Sequence, residues 1–394
     1  MACVGCKSLS TLTGLEDSKA TFVRTDCHEL FSCVLRAIAK GAPILDDGTF
    51  IRIPVNLFGE TNYLVVDTAA AITVIDASMQ SRLGKPLQVV PAESAVGGQF
   101  ELTLYQAPQI QIGDAVLGLQ RVASADLQMA RMISGEPCSG MLGADVFSNR
   151  VASFDFNRGI LSISSNAPEA TDKSFISLRK FPDGRLAVET TINKSEKVLL
   201  LVDSSDSSSL SFNQQDWDKI FKGASAEAGK IAFYSGVDGT VRKSQNARIA
   251  TLTVGRQEYT NLLCSLIPNR GSTSHLGLGF LRRHVVTIDF AQSRMFLDRG
   301  SSFIHQDEDD MSGLHLLRKD GAVVVYAADQ DSPAALAGFQ PGDELTQVNG
   351  RKAASLSMRD IRQIFASGNG NTVTAEVKSN GNVRSVKLRL KRSI

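Results

Sequence analysis

The chain repeats itself. Two apolar runs each end in an acid followed by a small or hydroxyl-bearing stretch: YLVVDTAAAITVID around Asp67, and VLLLVDSSDSSSLSF around Asp203. Further on, LGADVFSNRVASFDF (142–156) lines up with LGLGFLRRHVVTIDF (276–290), which matches Gly143 with Gly277 and Asp155 with Asp289. A repeat that keeps its register across distant landmarks constrains the fold more than any single motif, because each copy must be one structural half. Each apolar run reads as a buried strand entering a tight turn. Between the landmarks, Gly97 and Gly98 in the first copy and Gly236 in the second mark hairpin tips, since glycine accepts positive φ without steric cost. Long helical periodicity is scarce. The expectation is a mainly β body of two lobes related by a pseudo-twofold, with Asp67 and Asp203 facing each other across the seam.

A shared seam gives the two acids chemistry. Two carboxylates a hydrogen bond apart cannot both ionise easily, so the pair holds one proton. The ionised member can then draw a proton from water while the other donates to a carbonyl. An acid after an apolar strand can also be a plain turn residue, and Asp155 and Asp289, in SFDFNRG and TIDFAQS, read as hairpin-shaping residues of that kind. For Asp67 and Asp203 the duplication, with Thr68 and Ser204 following, favours a paired geometry.

These residues carry a resemblance. LVVDTAA and LLVDSSD, each followed downstream by a leucine-glycine turn, resemble the aspartic protease superfamily, and the hairpin in both copies is more similar to its retropepsin branch than to pepsin. The resemblance covers about residues 45 to 300. It implies an aspartic endopeptidase with Asp67 and Asp203 as the catalytic pair, Thr68 and Ser204 as hydroxyls tying the two turns together, and hairpins near Gly97, Gly98 and Gly236 covering a polypeptide substrate. The glycine that the family places after the hydroxyl is Ala69 here in one copy and Ser205 in the other. A β-carbon at those positions costs about 1–2 kcal/mol if φ is positive. Asp206 adds a third carboxylate that would oppose ionisation of Asp203. A catalytically inactive, peptide-binding descendant is therefore the alternative, and an assembly scaffold built on the C-terminal module is a third reading.

That module begins after the acidic stretch Gln306 to Asp310, which has the composition of a solvated linker. From Gly313 the sequence resembles a bacterial PDZ domain, most closely in DSPAALAGFQPGDELTQVNG (331–350). The resemblance implies an α+β domain that takes peptide C-termini as an added strand beside Leu314 to Leu317, with the carboxylate held by amides around Ser312 and Gly313. Gly313, Leu314, His315 and Leu316 are then the peptide-binding residues. Ser357 to Ala366 would be the groove helix, with Ile361, Ile364 and Phe365 toward the core and Met358 and Arg362 on the groove wall. The opposing reading is a PDZ fold whose groove docks on the protease body. The expected layout is a leader (1–44), lobe one (45–168), lobe two (169–300), an acidic linker (301–312) and the PDZ domain (313–394).

Other classes are disfavoured. Forty-two basic against 41 acidic residues leave a formal charge of +1, too little for a dedicated nucleic-acid binder. No run approaches the roughly 18 apolar residues of a spanning helix. Residues 1–40 lack the order of a signal peptide, which reads as cytoplasmic for the sequence as it stands and as periplasmic or secreted if a leader precedes it. Cys3, Cys6, Cys27, His28 and Cys33 do not match the common zinc spacings. No cofactor or metal is expected. G-x-S-x-G, P-loop, dinucleotide and H-E-x-x-H motifs are absent, so His275 after Ser272 and Ser274 reads as a lone exposed histidine. Cys264, in NLLCSLIP, reads as a core strand residue.

Overall fold

The computed structural model describes residues 41–113, 115–164, 174–222, 230–236 and 239–394. The cysteine-rich start, with its possible zinc ligands, lies outside them. Strands dominate the described chain, as the alternating and short apolar runs require.

Both copies build the same turn. The strand Glu60–Val66 runs parallel to Gly140–Leu142, with Val66 opposite Leu142, and Asp67 donates its N–H to the Leu142 carbonyl. Glu196–Val202 likewise runs parallel to Ser274–Leu276, with Val202 opposite Leu276 and Asp203 donating to Leu276. The glycine that follows each short strand permits this threading by close approach rather than by unusual φ. A β-carbon on Gly143 would lie 2.6 Å from the Ile72 carbonyl carbon, and one on Gly277 only 2.2 Å from the Ser208 oxygen.

The pseudo-twofold can be located. Strand Val151–Asp155 pairs antiparallel with His284–Asp289, and Ser153 stands directly opposite Thr287, its own equivalent in the repeat. Their hydroxyls lie 3.1 Å apart. Phe147 stacks on Phe290 beside this junction, so one apolar core runs through both lobes. Asp155 and Asp289 do shape turns: Asp155 accepts the amides of Asn157 and Arg158, and Asp289 accepts that of Gln292. Cys264 is fully buried on strand Gln257–Ile267, as expected.

The PDZ-like module has its own core, centred on Val325, Leu345, Ile361 and Phe365. Its helix Met358–Phe365 starts at a capping box of Ser357 and Asp360. Met358 belongs to this core, not to the groove wall, because it lies in the helix's first turn on the same face as Ile361 and Phe365. The acidic stretch is no free spacer either. Asp307 pairs with Arg283 at 2.5 Å, Asp309 pairs with Lys230 at 3.3 Å, and together they tie the stretch to the second lobe.

Candidate functional site

The two acid turns are locked together by symmetry-related bonds. Thr68 Oγ1 donates to the Val202 carbonyl at 2.7 Å and accepts the Ser204 amide at 3.1 Å. Ser204 Oγ donates to the Val66 carbonyl at 2.7 Å and accepts the Thr68 amide at 3.1 Å. Each hydroxyl thus satisfies two backbone groups buried at the seam, each of which would cost about 1–3 kcal/mol if left unpaired.

Each acid is oriented by its own turn. Asp67 Oδ1 accepts the amides of Ala69 and Ala70, both at 2.9 Å. Asp203 Oδ1 accepts those of Ser205 at 2.8 Å and Asp206 at 3.1 Å. Ala69 and Ser205 adopt no left-handed backbone, so their β-carbons impose no strain. The Ser205 hydroxyl also donates to Asp203 Oδ1 at 2.8 Å and lies against Asp67, filling space between the acids.

Sequence reasoning misplaced His275. It is buried, and its Nδ1 lies 3.0 Å from Asp203 Oδ2 and 3.3 Å from Asp206 Oδ2. Tyr234 completes the group, donating to Asp206 Oδ2 at 2.8 Å. The signal was present in the repeat: His275 stands opposite Leu201 where the first copy sets Met141 opposite Val65, and Asp206 takes the place of Ala70. Polar residues have replaced apolar ones beside only one of the two acids.

This asymmetry separates the acids electrically. Burial, and then the Asp203 charge, push Asp67 up to about 7. Burial also works to raise Asp203, but the His275 charge and hydrogen bond overcome it and hold that carboxyl below the usual range. Burial opposes protonation of His275, yet Asp203 and Asp206 push it up to about 10. Asp206 therefore does not act on Asp203 as a bare like charge, because a shared imidazolium stands between them.

Residues of both hairpins, among them Ser94 and Gly236, line the same cleft as the two acids. Strands Pro86–Glu93 and Gln99–Gln106 meet at a tip where Gly97 is left-handed (φ 76°), Ser94 accepts its amide, and Gly98 accepts the Ser94 amide. Gly97 O also accepts a hydrogen bond from Arg242 of the second lobe at 3.0 Å, so this tip bridges the cleft. In the second hairpin, Lys230–Ser235 with Val241–Val254, the Gly236 amide donates to the Thr240 carbonyl and its own carbonyl accepts from Gly239, but the left-handed glycine is Gly239.

The PDZ-like groove faces the protease-like body. Helix Gln128–Ser134 of the first lobe packs against both the groove strand Leu314–Lys319 and the groove helix. Arg362 reaches across to Thr49 Oγ1 and the Ile133 carbonyl, at 2.6 and 2.5 Å. The amides of Ser312 and Gly313, expected to hold a peptide carboxylate, instead donate to Asp310 Oδ1, each at 2.8 Å. His315 packs edge-on against Phe233. Leu314, His315 and Leu316 nevertheless line the same cleft of about 1210 Å³ as Asp67, Asp203 and His275.

With this geometry in view, comparison with known proteins defines two classes. Residues 53–146 match the family model described as aspartyl protease, and residues 324–378 match that of the PDZ domain. No curated protein matches the chain significantly. The chain thus joins an aspartyl-protease-like domain to a C-terminal PDZ domain.

Proposed function

We infer that the protein is an aspartic-type endopeptidase acting on polypeptide in the cleft between its lobes. The reciprocal lock of Thr68 and Ser204 carries this reading, since it holds two buried acid turns against each other at a cost that a mere turn residue would not require. Asp203, kept ionised by His275, draws the proton from a water, and Asp67, the acid with the raised pKa, donates to the peptide carbonyl. The PDZ surface serves as a wall of the same cleft for extended chain. Its loop amides around Ser312 are engaged by Asp310, which disfavours a terminal carboxylate there.

One observation favours a second reading, a protein that holds peptide without cutting it. Both oxygens of Asp203 have partners before any water arrives, Oδ1 from Ser205 and Oδ2 from His275. The deciding experiment incubates chelator-treated protein with a denatured protein substrate from acid to neutral pH and reads fragments by mass spectrometry. Cleavage is expected, falling about 100-fold or more in Asp67→Asn and in Asp203→Asn. Cleavage that survives both substitutions overturns the mechanism. Substrate that binds and stays intact establishes the second reading.

A further inference from the structure

The group around His275 has more organisation than an ion pair needs. Asp203 and Asp206 each have one oxygen fixed by backbone, Asp203 Oδ1 by the amides of Ser205 and Asp206, and Asp206 Oδ1 by that of Ser208 at 3.0 Å. Their other oxygens converge on His275 Nδ1, and the Tyr234 hydroxyl lies 2.8 Å from one and 3.4 Å from the nitrogen. Fixing one atom of a ligand so that the other points inward is how an outer shell orients a metal site. Beside it, Ser211 Oγ is fully buried and has no hydrogen-bond partner of good geometry among the described residues, although it lies against the Tyr234 hydroxyl. Ser211 stands opposite His275 in the sheet, so the unpartnered hydroxyl borders the cluster.

We propose that Asp203 Oδ2, Asp206 Oδ2 and His275 Nδ1 bind a divalent transition-metal ion of the zinc class, with the Tyr234 oxygen beside it. The separations of 3.0 and 3.3 Å between the nitrogen and the two oxygens are those of neighbouring ligands around an ion at about 2.0–2.2 Å, which are roughly 3.0–3.5 Å apart. Two carboxylates with a neutral imidazole carry two negative charges, which one divalent ion cancels. Imidazole nitrogen with carboxylate oxygen suits zinc, and magnesium or calcium would prefer an all-oxygen set. All three ligands line the large cleft, which supplies the entry path. The ion displaces the Nδ1 proton and takes the oxygen that Asp203 would turn to a water, so the site is an off-switch for the acid pair. Binding itself stands whichever reading of the acid pair holds, and only the block on cleavage rests on the peptidase reading.

The test titrates Co²⁺ and Zn²⁺ into the chelator-treated full chain, with calorimetry for stoichiometry and Co²⁺ absorption to separate this thiol-free site from ions on the N-terminal cysteines, which add thiolate charge-transfer bands. One ion without such bands is expected, retained in Asp67→Asn and weakened at least about 100-fold in both His275→Gln and the isosteric Asp206→Asn. Circular dichroism checks that the variants fold. No thiol-free ion, or one that both variants bind as tightly as the parent, overturns the proposal and leaves the point occupied by a proton.

Discussion

Burial works against protonation of two histidines of the second lobe alike, yet their net shifts are opposite, and the difference lies in their neighbours. His275 faces two carboxylates and is pushed up to about 10, whereas His284 sits among Tyr259, Phe280 and Phe303 and is pushed down to about 4 by that burial. Both nitrogens of His284 are used in the neutral ring, with Nδ1 at 3.2 Å from the Phe280 carbonyl and Nε2 at 2.9 Å from the Tyr259 hydroxyl. The unfolded chain protonates His284 from pH 6.5 downward, but the native state does so only near 4. Its stabilising contribution is therefore complete above 6.5 and is lost as pH falls from there toward 4, about 3 kcal/mol in all at 1.36 kcal/mol per unit. Denaturant unfolding at stepped pH is expected to show this acid limb, and His284→Phe should flatten it relative to the parent. At this scale Asp67 and Asp203 were legible because the repeat displayed them twice. His275 was not, since its partners reach it from two remote segments, the turn of Asp203 and Asp206 and the strand of Tyr234, and only the Met141 comparison betrayed it.

An element is legible when its pattern is local, as the acid strands and the leucine-glycine turns show. The turn after Leu276 works because Gly277 lets the chain pass against the carbonyls of Ser208 and Asp206, 2.2 and 2.8 Å from where a β-carbon would stand. Both obstacles are backbone, so neither can swing aside. Gly277→Ala is expected to cost about 1–3 kcal/mol or more of unfolding free energy, read from the shift of the denaturant midpoint. Gly118→Ala, at a position with open space and ordinary φ, should stay within about 0.5 kcal/mol. A Gly277→Ala protein as stable as the parent would mean that the threading is not tight. Other element properties escape local pattern. Strand Lys230–Ser235 was expected only as half of a hairpin, yet it packs Phe233 against His315 and Tyr326 of the PDZ domain while Tyr234 bonds Asp206. Period-2 alternation announces two faces but not what each will meet.

At the scale of the whole molecule, sequence yields the domains and not their docking, because a docking face is a patchwork of residues with no period. Here the first lobe's helix Gln128–Ser134 lies in the PDZ groove, Arg359 and Arg282 both reach Asp46, and Arg362 bonds Thr49 and Ile133. Gly135 closes the helix in a left-handed cap (φ 73°), with Met358 Cγ 2.7 Å and Arg318 Nε 2.9 Å from where a β-carbon would be. Gly135→Val therefore strains the cap by about 1–2 kcal/mol and also drives a side chain into the PDZ domain. Local strain alone would loosen only the helix that carries it. If the groove is held shut by docking, hydrogen exchange should accelerate in Leu314–Lys319 and Met358–Phe365 as well, far away in sequence, while the PDZ core strands keep their protection. Exchange that changes only near residue 135 would show that the PDZ domain stays seated by its arginines, and that the helix is a lodger in the groove rather than its latch.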